Sequence, residues 1–332
     1  AADAAAATAQ AALDAVLAPE NLTISQDNIS GNDNDNTFTA SMDLDGAGNL
    51  IETLQAMDDI NGSGGTDTLV ITSDSDVGAP RITNVEVIQI RSIDDNQDIN
   101  LSNSDTSVTN INVVNSASNV LVDQIQNNVS FSISNTTDNV EFVFENDALD
   151  SDSANATVAV DGFDGILTVT AGGSDVITSL TVSTSGTATA LDSEAWMEAL
   201  TTLTVSGSGD LTIVDTNTDN NDDDFAALTS VAAGSLSGDL TLDLGTNDLD
   251  VTVALGSGDD ALTLSANGDE GRTITMGGGD DTLTLDDADG DITIATVAID
   301  GDSIDGGDGD DTLVVNGNTG ADVFGQDVSD VF

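Results

Sequence analysis

The sequence predicts an all-β chain: a calcium-bound parallel β-solenoid of the β-helix or β-roll kind, preceded by a short helical segment. Three observations predict it. Short runs of β-branched and apolar residues alternate with Thr at period two (LTVT, LTVS, LTL, ITI). Turns of Gly, Asp, Asn and Ser separate these runs, with almost no helical pattern between them. A Gly-Asp nonapeptide also recurs, and repetition of one turn-and-strand unit is the mark of a stacked array.

Taken in order, residues 1–18 (AADAAAATAQAALDAVLA) are dominated by Ala, the best helix former, and Pro19 ends the run. One short helix is expected there. Two more are expected at 49–57 (NLIETLQAM) and at 191–200 (LDSEAWMEAL), the latter capped by Asp192 or Ser193 and anchored in the core by the sole Trp, Trp196. The rest reads as strands, from 68–72 and 85–90 through 108–114, 129–133, 140–144, 166–170, 180–182, 203–205, 211–214, 240–244 and 251–255 to 262–264, 274–276, 283–285, 292–294 and 313–315. Strand spacing this short leaves no room for helical crossovers, so a solenoid or a sandwich remains. Soft boundaries near 18, 100 and 246 divide the chain into a helical segment (1–18), a β module (19–100), a β-solenoid (101–245) and a calcium-binding solenoid (246–332).

The charge is extreme. There are 61 acidic and 3 basic residues, a formal net charge of −58, and the only cations are Arg81, Arg91 and Arg272. Nucleic acid and anionic membranes need Lys and Arg to neutralise phosphate, so neither is an expected partner. Eight of the acids are Glu and 53 are Asp. Asp is short and bonds its own backbone in turns, so this bias beside 32 Gly points to ion-binding turns as well as a salt-adapted surface. Hydrophobic content of 38% still allows a core. With no Cys, disulfides and zinc–thiolate sites are excluded. No apolar run of about 18 residues exists to span a membrane as a helix. The chain begins at Ala1 without an initiator Met or a leader, which suggests a processed chain or part of a longer one.

The nonapeptide, written G-G-x-G-x-D-x-U-x with U a large apolar residue, matches at every defined position in Gly306-Gly307-Asp308-Gly309-Asp310-Asp311-Thr312-Leu313-Val314. The stretches from Leu255 to Thr263 (LGSGDDALT) and from Met276 to Thr284 (MGGGDDTLT) miss only the first Gly. Those from Gly62 to Val70 (GSGGTDTLV) and from Gly317 to Phe324 (GNTGADVF) miss only the second. Weaker echoes carry Asp33, Asp35 and Asp175. Calcium takes six to eight oxygens in loose geometry and accepts backbone carbonyls as readily as carboxylates. Gly admits positive φ and turns successive carbonyls toward one point. The pattern therefore predicts calcium at Asp67, Asp259, Asp260, Asp280, Asp281, Asp308, Asp310, Asp311 and Asp322. Carbonyls near Gly62, Gly65, Gly256, Gly258, Gly277, Gly279, Gly307, Gly309 and Gly320 would complete the shells.

These residues resemble the calcium-binding RTX (repeats-in-toxin) family, exported by Gram-negative bacteria through type I secretion. Residues 22–90, with NTFTA, then LQAMDDINGSGGTDTLVIT, then ITNVEVIQI, resemble a module of RTX-type S-layer and large surface proteins, as does LTSVAAGSLSGDLTLDLG at 228–245. The resemblance implies a calcium-bound β-solenoid on the cell surface, assembled with copies of itself into a layer or filament. The alternative is a segment of a large calcium-stiffened adhesin or biofilm-matrix protein, with cell-surface polysaccharide as a further partner. Steps of 22, 30 and 11 residues between Asp259, Asp281, Asp311 and Asp322 are too uneven for a regular two-turn roll, so calcium at the edges of a β-helix is expected.

An enzyme is not expected. Without His, Cys, Lys or Tyr, only carboxylates could move protons, and a serine triad lacks its base. Aromatic content of 3% leaves few platforms for sugars.

Overall fold

The structure is a computed structural model, and it describes residues 19–94, 96–149, 154–173, 175–186, 189–192, 197–214, 225–245, 250–265, 271–286 and 303–316. The chain divides into two compact units, Ala1–Asp150 and Ser151–Phe332. Both are parallel β-solenoids, and no α-helix occurs among the described residues.

Unit 1 holds β1 (Glu20–Asn21), β2 (Asn28–Ser30), β3 (Thr37–Ala40), β4 (Met42–Leu44), β5 (Leu50–Glu52), β6 (Asp59–Asn61), β7 (Thr68–Ser73), β8 (Arg81–Thr83), β9 (Val87–Ser92), β10 (Gln97–Asn100), β11 (Asn110–Val114), β12 (Val120–Ile125), β13 (Ser130–Thr136) and β14 (Val140–Phe144). Its long sheet runs β1-β3-β7-β9-β11-β13, all parallel, with β2-β6-β8 and β10-β12-β14 as shorter sheets. Alternation along each strand sends one set of side chains inward. Register then stacks Phe38, Leu69, Ile88, Ile111 and Phe131 in one buried column, and Ala40, Ile71, Ile90, Val113 and Ile133 in the next. Phe131 stacks on Phe142 from the facing sheet, ring centroids 3.9 Å apart.

Unit 2 holds β15 (Ala154–Phe163), β16 (Leu167–Thr170), β17 (Ile177–Ser185), β18 (Thr189–Asp192), β19 (Thr202–Gly207), β20 (Leu211–Val214), β21 (Ser230–Leu236), β22 (Leu240–Asp243), β23 (Thr252–Ala254), β24 (Ala261–Ser265), β25 (Thr273–Thr275), β26 (Thr282–Asp286), β27 (Ser303–Asp305) and β28 (Thr312–Asn316). From β17 onward successive strands alternate between two parallel sheets, the long one β15-β17-β19-β21-β23-β25-β27 and the facing one β18-β20-β22-β24-β26-β28. Each coil thus contributes one strand to each side. The core is two facing columns: Ala156, Leu180, Leu203, Val231, Val253 and Ile274 on one, and Leu191, Ile213, Leu242, Leu262 and Leu283 on the other.

The structure corrects the helix expected at 49–57 and the start of the one expected at 191–200, of which residues 193–196 lie outside the described residues. Residues 50–52 of the 49–57 stretch form β5, which pairs antiparallel with β4 around the turn from Asp45 to Asn49. There Asp45 Oδ1 accepts the amides of Ala47 and Asn49, a local bond that competes with helix formation. In the 191–200 stretch, Leu191 and Asp192 end β18, and Met197–Leu200 is a turn closed by Leu200 N–H on the Met197 carbonyl at 2.9 Å. Leu191 is fully buried in the core column, and that burial overrides a modest helix propensity. Residues 1–18, Trp196 and the strand expected at 292–294 lie outside the described residues.

Candidate functional site

The Gly-Asp turns of unit 2 stack directly on one another, and stacking explains both motif residues. The Gly that directly precedes Asp in successive turns forms a column, Gly238, Gly258, Gly279 and Gly309. A Cβ on Gly258 would overlap the Gly238 carbonyl, on Gly279 the Gly258 carbonyl, and on Gly309 the Gly279 carbonyl. Gly277 and Gly307 form a second column on Gly256, under the same constraint. Gly279 and Gly309 also hold φ of +129° and +150°, a region side chains other than Gly rarely enter.

The paired aspartates bind neighbouring turns in opposite directions. The first Asp of each pair accepts from the turn that follows it. Asp280 N–H donates to Asp259 Oδ1 at 2.8 Å, and Asp310 N–H to Asp280 Oδ1 at 3.0 Å. The second Asp accepts from the turn before. Asp260 N–H donates to Asp281 Oδ1 at 2.8 Å, and Asp281 N–H to Asp311 Oδ1 at 3.1 Å. Asp260 itself accepts from Leu240 N–H at 2.7 Å and Gly256 N–H at 3.2 Å. Two antiparallel ladders of carboxylate–amide bonds therefore run along one edge of the unit. Such charge-assisted bonds satisfy amides that the strand ladders leave over.

Unit 1 repeats the arrangement with looser chemistry. Asp67 Oδ1 accepts Asn36 N–H at 2.6 Å from the preceding turn, and Glu86 Oε2 accepts Asp67 N–H at 2.7 Å. Asp35 reaches forward to Thr66 N–H at 2.8 Å.

The expected site residues fall into three groups. Asp259, Asp260, Asp280, Asp281, Asp310 and Asp311 share one edge of unit 2, where Asp308 contributes its main chain, donating to the Gly277 carbonyl and accepting from Gly279 N–H. Asp67, Gly62 and Gly65 lie in unit 1. Gly320 and Asp322 lie outside the described residues. The sequence reading missed Asp210 and Asp239, which extend the forward ladder through Asp239 N–H on Asp210 Oδ1 at 2.9 Å and Asp259 N–H on Asp239 Oδ1 at 2.8 Å. A signal for them existed in SGDLT, which occurs at 208–212 and again at 237–241. Glu86 was missed as well, as was Asp98, whose Oδ1 is buried without a hydrogen-bond partner, and neither sits beside a Gly-rich turn.

No family model matches the chain, and no curated protein does.

The electrostatics are those of anions forced together. Burial pushes the Asp260 carboxyl up to about 6, and the charges of Asp281 and Asp239 add to it, against the two amides that hold it. Burial likewise raises Asp281, with Asp311, Asp259 and Asp280 contributing, and raises Asp67, with Glu86 and Asp35 contributing. Among the described residues, no three carboxylate side chains converge as a metal centre. The turns at Asp67, Asp260 and Asp281 each offer one buried carboxylate instead.

Two of those carboxylates fit a hard cation. Asp67 Oδ2 and Asp281 Oδ2 are buried and have no hydrogen-bond partner. At Asp67 the cradle is visible: a Cβ on Gly62 would overlap both Asp67 Oδ2 and the Asn84 carbonyl oxygen. Two acceptor oxygens, one of them without a hydrogen-bond partner, face one glycine-lined space, a donor set that suits a hard cation.

Proposed function

We propose that this chain is a structural, non-catalytic protein of the bacterial cell surface whose solenoids are loaded with calcium and self-assemble into a layer or filament. The observation that carries the reading is the pair of buried, donor-less carboxylate oxygens on Asp67 and Asp281, each within a stack of Gly-Asp turns. A buried carboxylate oxygen without a partner costs about 1–3 kcal/mol or more, and a fold that repeats this cost gains by binding a cation there. Asp67 and Asp281 would hold the ion with neighbouring main-chain carbonyls. Bound calcium supplies positive charge and a coordination shell that ties one turn to the next.

The same chemistry supports assembly. At −58, two copies repel unless cations lie between them or uncharged surfaces meet. The resemblance to RTX-type surface proteins supports an extracellular location.

The test is electron microscopy and sedimentation of the purified chain with and without calcium. Sheets or filaments that form with calcium and dissolve in chelator support the reading. A chain that stays monomeric across the calcium range argues for an adhesin segment instead.

A further inference from the structure

The side chain at the backward-reaching ladder position meets its own turn in one of two ways. In the closed form it also accepts the amide of the residue four positions earlier. Asp260 Oδ2 takes Gly256 N–H at 3.2 Å while Oδ1 takes Leu240 N–H at 2.7 Å, so both oxygens face donors. Asn36, at the equivalent place in unit 1, takes Asn32 N–H on its side-chain oxygen at 2.7 Å. In the open form that amide is turned away. Asp67 and Asp281 keep the Oδ1 bond to the preceding coil, but their buried Oδ2 atoms meet no donor.

The two forms differ in the φ of that fourth residue. Ser63, before Asp67, holds φ of +76°, and Gly277, before Asp281, holds +109°, whereas Gly256 and Asn32 lie outside the positive region. Positive φ swings the N–H out of the carboxylate's reach, and Ser63 N–H donates instead to Asn61 Oδ1 at 3.0 Å. Gly307 repeats the open form before Asp311, at +96° with its amide on Asp305 Oδ1 at 3.2 Å, but Asp311 is half-buried and solvent reaches it. Ser63 is telling because a left-handed backbone strains any residue but Gly. Asn32, one coil earlier at the same place in its turn, shows that the closed form is available to a side chain without that strain.

We propose that this one torsion selects which Gly-Asp turns take a divalent cation: the Asp67 and Asp281 turns are loaded, and the Asp260 turn is closed to the ion by its own amide. The proposal rests on the calcium reading above and separates turns that the motif makes look alike, since LGSGDDALT and MGGGDDTLT match the nonapeptide equally well. An N–H aimed at Oδ2 puts its positive end where a cation would sit, and an ion entering there would leave the buried Gly256 amide unpaired. An open turn presents a bare carboxylate oxygen, as a hard cation requires. Asn61 is then a positioning residue: it holds the Ser63 amide away from Asp67 without facing the ion's oxygens itself.

Equilibrium dialysis against calcium counts the ions bound per full-length chain in Asp67→Asn, Asp281→Asn and Asp260→Asn, with circular dichroism confirming the fold. Asp67→Asn and Asp281→Asn are each expected to bind one ion fewer than the parent, and Asp260→Asn as many as the parent. An ion lost from Asp260→Asn overturns the proposal and leaves calcium loading intact. Parental stoichiometry in Asp67→Asn or Asp281→Asn overturns it as well. Asn61→Ala gives a second readout with every ladder carboxylate in place. Without its acceptor the Ser63 amide turns back onto Asp67, and the calcium affinity of that one site should fall by roughly tenfold or more. Unchanged affinity in Asn61→Ala would show that the torsion does not select. A parent that binds no calcium refutes the calcium reading, and this proposal with it.

Discussion

The main-chain amide of Asp260 donates to the carboxylate of Asp281 one coil later, at 2.8 Å, while the other oxygen of Asp281 is buried without a donor. One side chain thus joins two turns and carries an unmet demand for positive charge. That pairing generates the first prediction.

Asp281→Asn replaces the carboxylate by an isosteric amide. In calcium the variant loses a charged ligand, and its thermal midpoint is expected to fall below that of the parent. In chelator the order inverts: the amide supplies a donor where an orphaned oxygen stood, and the variant becomes the more stable by about 1 kcal/mol or more. Thermal unfolding of both proteins in both conditions reads the sign directly. Asp281→Asn less stable than the parent in chelator as well would mean that the carboxylate is needed for its hydrogen bond alone.

The glycine columns give a second test. Gly279→Ala places a Cβ against the Gly258 carbonyl and forces a non-Gly residue to φ of +129°. The backbone term alone costs about 1–2 kcal/mol, and the overlap adds to it. Gly46→Ala, in the turn between β4 and β5 with nothing within 4 Å of the new methyl, should change stability by less than about 0.5 kcal/mol. Denaturant unfolding compares the two, and equal effects would contradict the stacked-turn account.

Much of this architecture was legible in the sequence because strands read at period two. Leu, Val and Ile at alternate positions became the core columns, and Thr between them became the outer faces. Gly-Asp turns were legible as turns. Their ladder directions were not, since whether Asp259 reaches forward and Asp260 back depends on which turn stacks on which, and coil lengths of 20, 21 and 30 residues hide that register. The 49–57 stretch misled because its apolar spacing suits a helix, while the deciding interaction, Leu50 opposite Leu44, lies across a hairpin. Glu86 escaped notice because its role is to accept the amide of Asp67, a partner 19 residues away that no local pattern announces.

The hairpin itself is pinned by Glu52. Its Oε1 accepts from Ser73 Oγ at 2.9 Å, Asp74 N–H at 2.8 Å and Ser75 N–H at 3.2 Å. Glu52→Ala should release the β4–β5 hairpin, whose Leu44 and Leu50 already stand exposed, without unfolding the solenoid. Hydrogen exchange should rise in residues 42–52 and at Asp74, with the global midpoint nearly unchanged. Cooperative loss of the whole unit in this variant would show the hairpin to be integral to the core.

A pH dependence follows from Asp260 in metal-free protein. Its folded pKa of about 6 lies above the ordinary 3.8, so the native state binds the proton more tightly than the unfolded chain does. Stability from this group is therefore fully present below the unfolded value and is lost as pH rises from about 3.8 through about 6. Chemical unfolding in chelator should show unit 2 weakening across that window, and Asp260→Asn should flatten the slope. An unchanged slope in the variant would place the titration on other carboxylates.

Calcium removal at constant ionic strength tests the central claim most directly. Like charges at contact distance cost about 1 kcal/mol per pair even when solvated, so a metal-free stack of paired aspartates is under strain that bound cations reverse. Hydrogen exchange of residues 256–264 and 277–285 would be followed, with particle size, as chelator is titrated. The account predicts that these turns exchange faster by roughly tenfold or more, that any assembly dissolves, and that molar sodium chloride restores neither, because monovalent salt screens charge without closing a coordination shell. Unchanged protection in chelator, or full recovery in sodium chloride alone, would contradict it and leave a salt-adapted acidic solenoid whose carboxylate–amide ladders suffice by themselves.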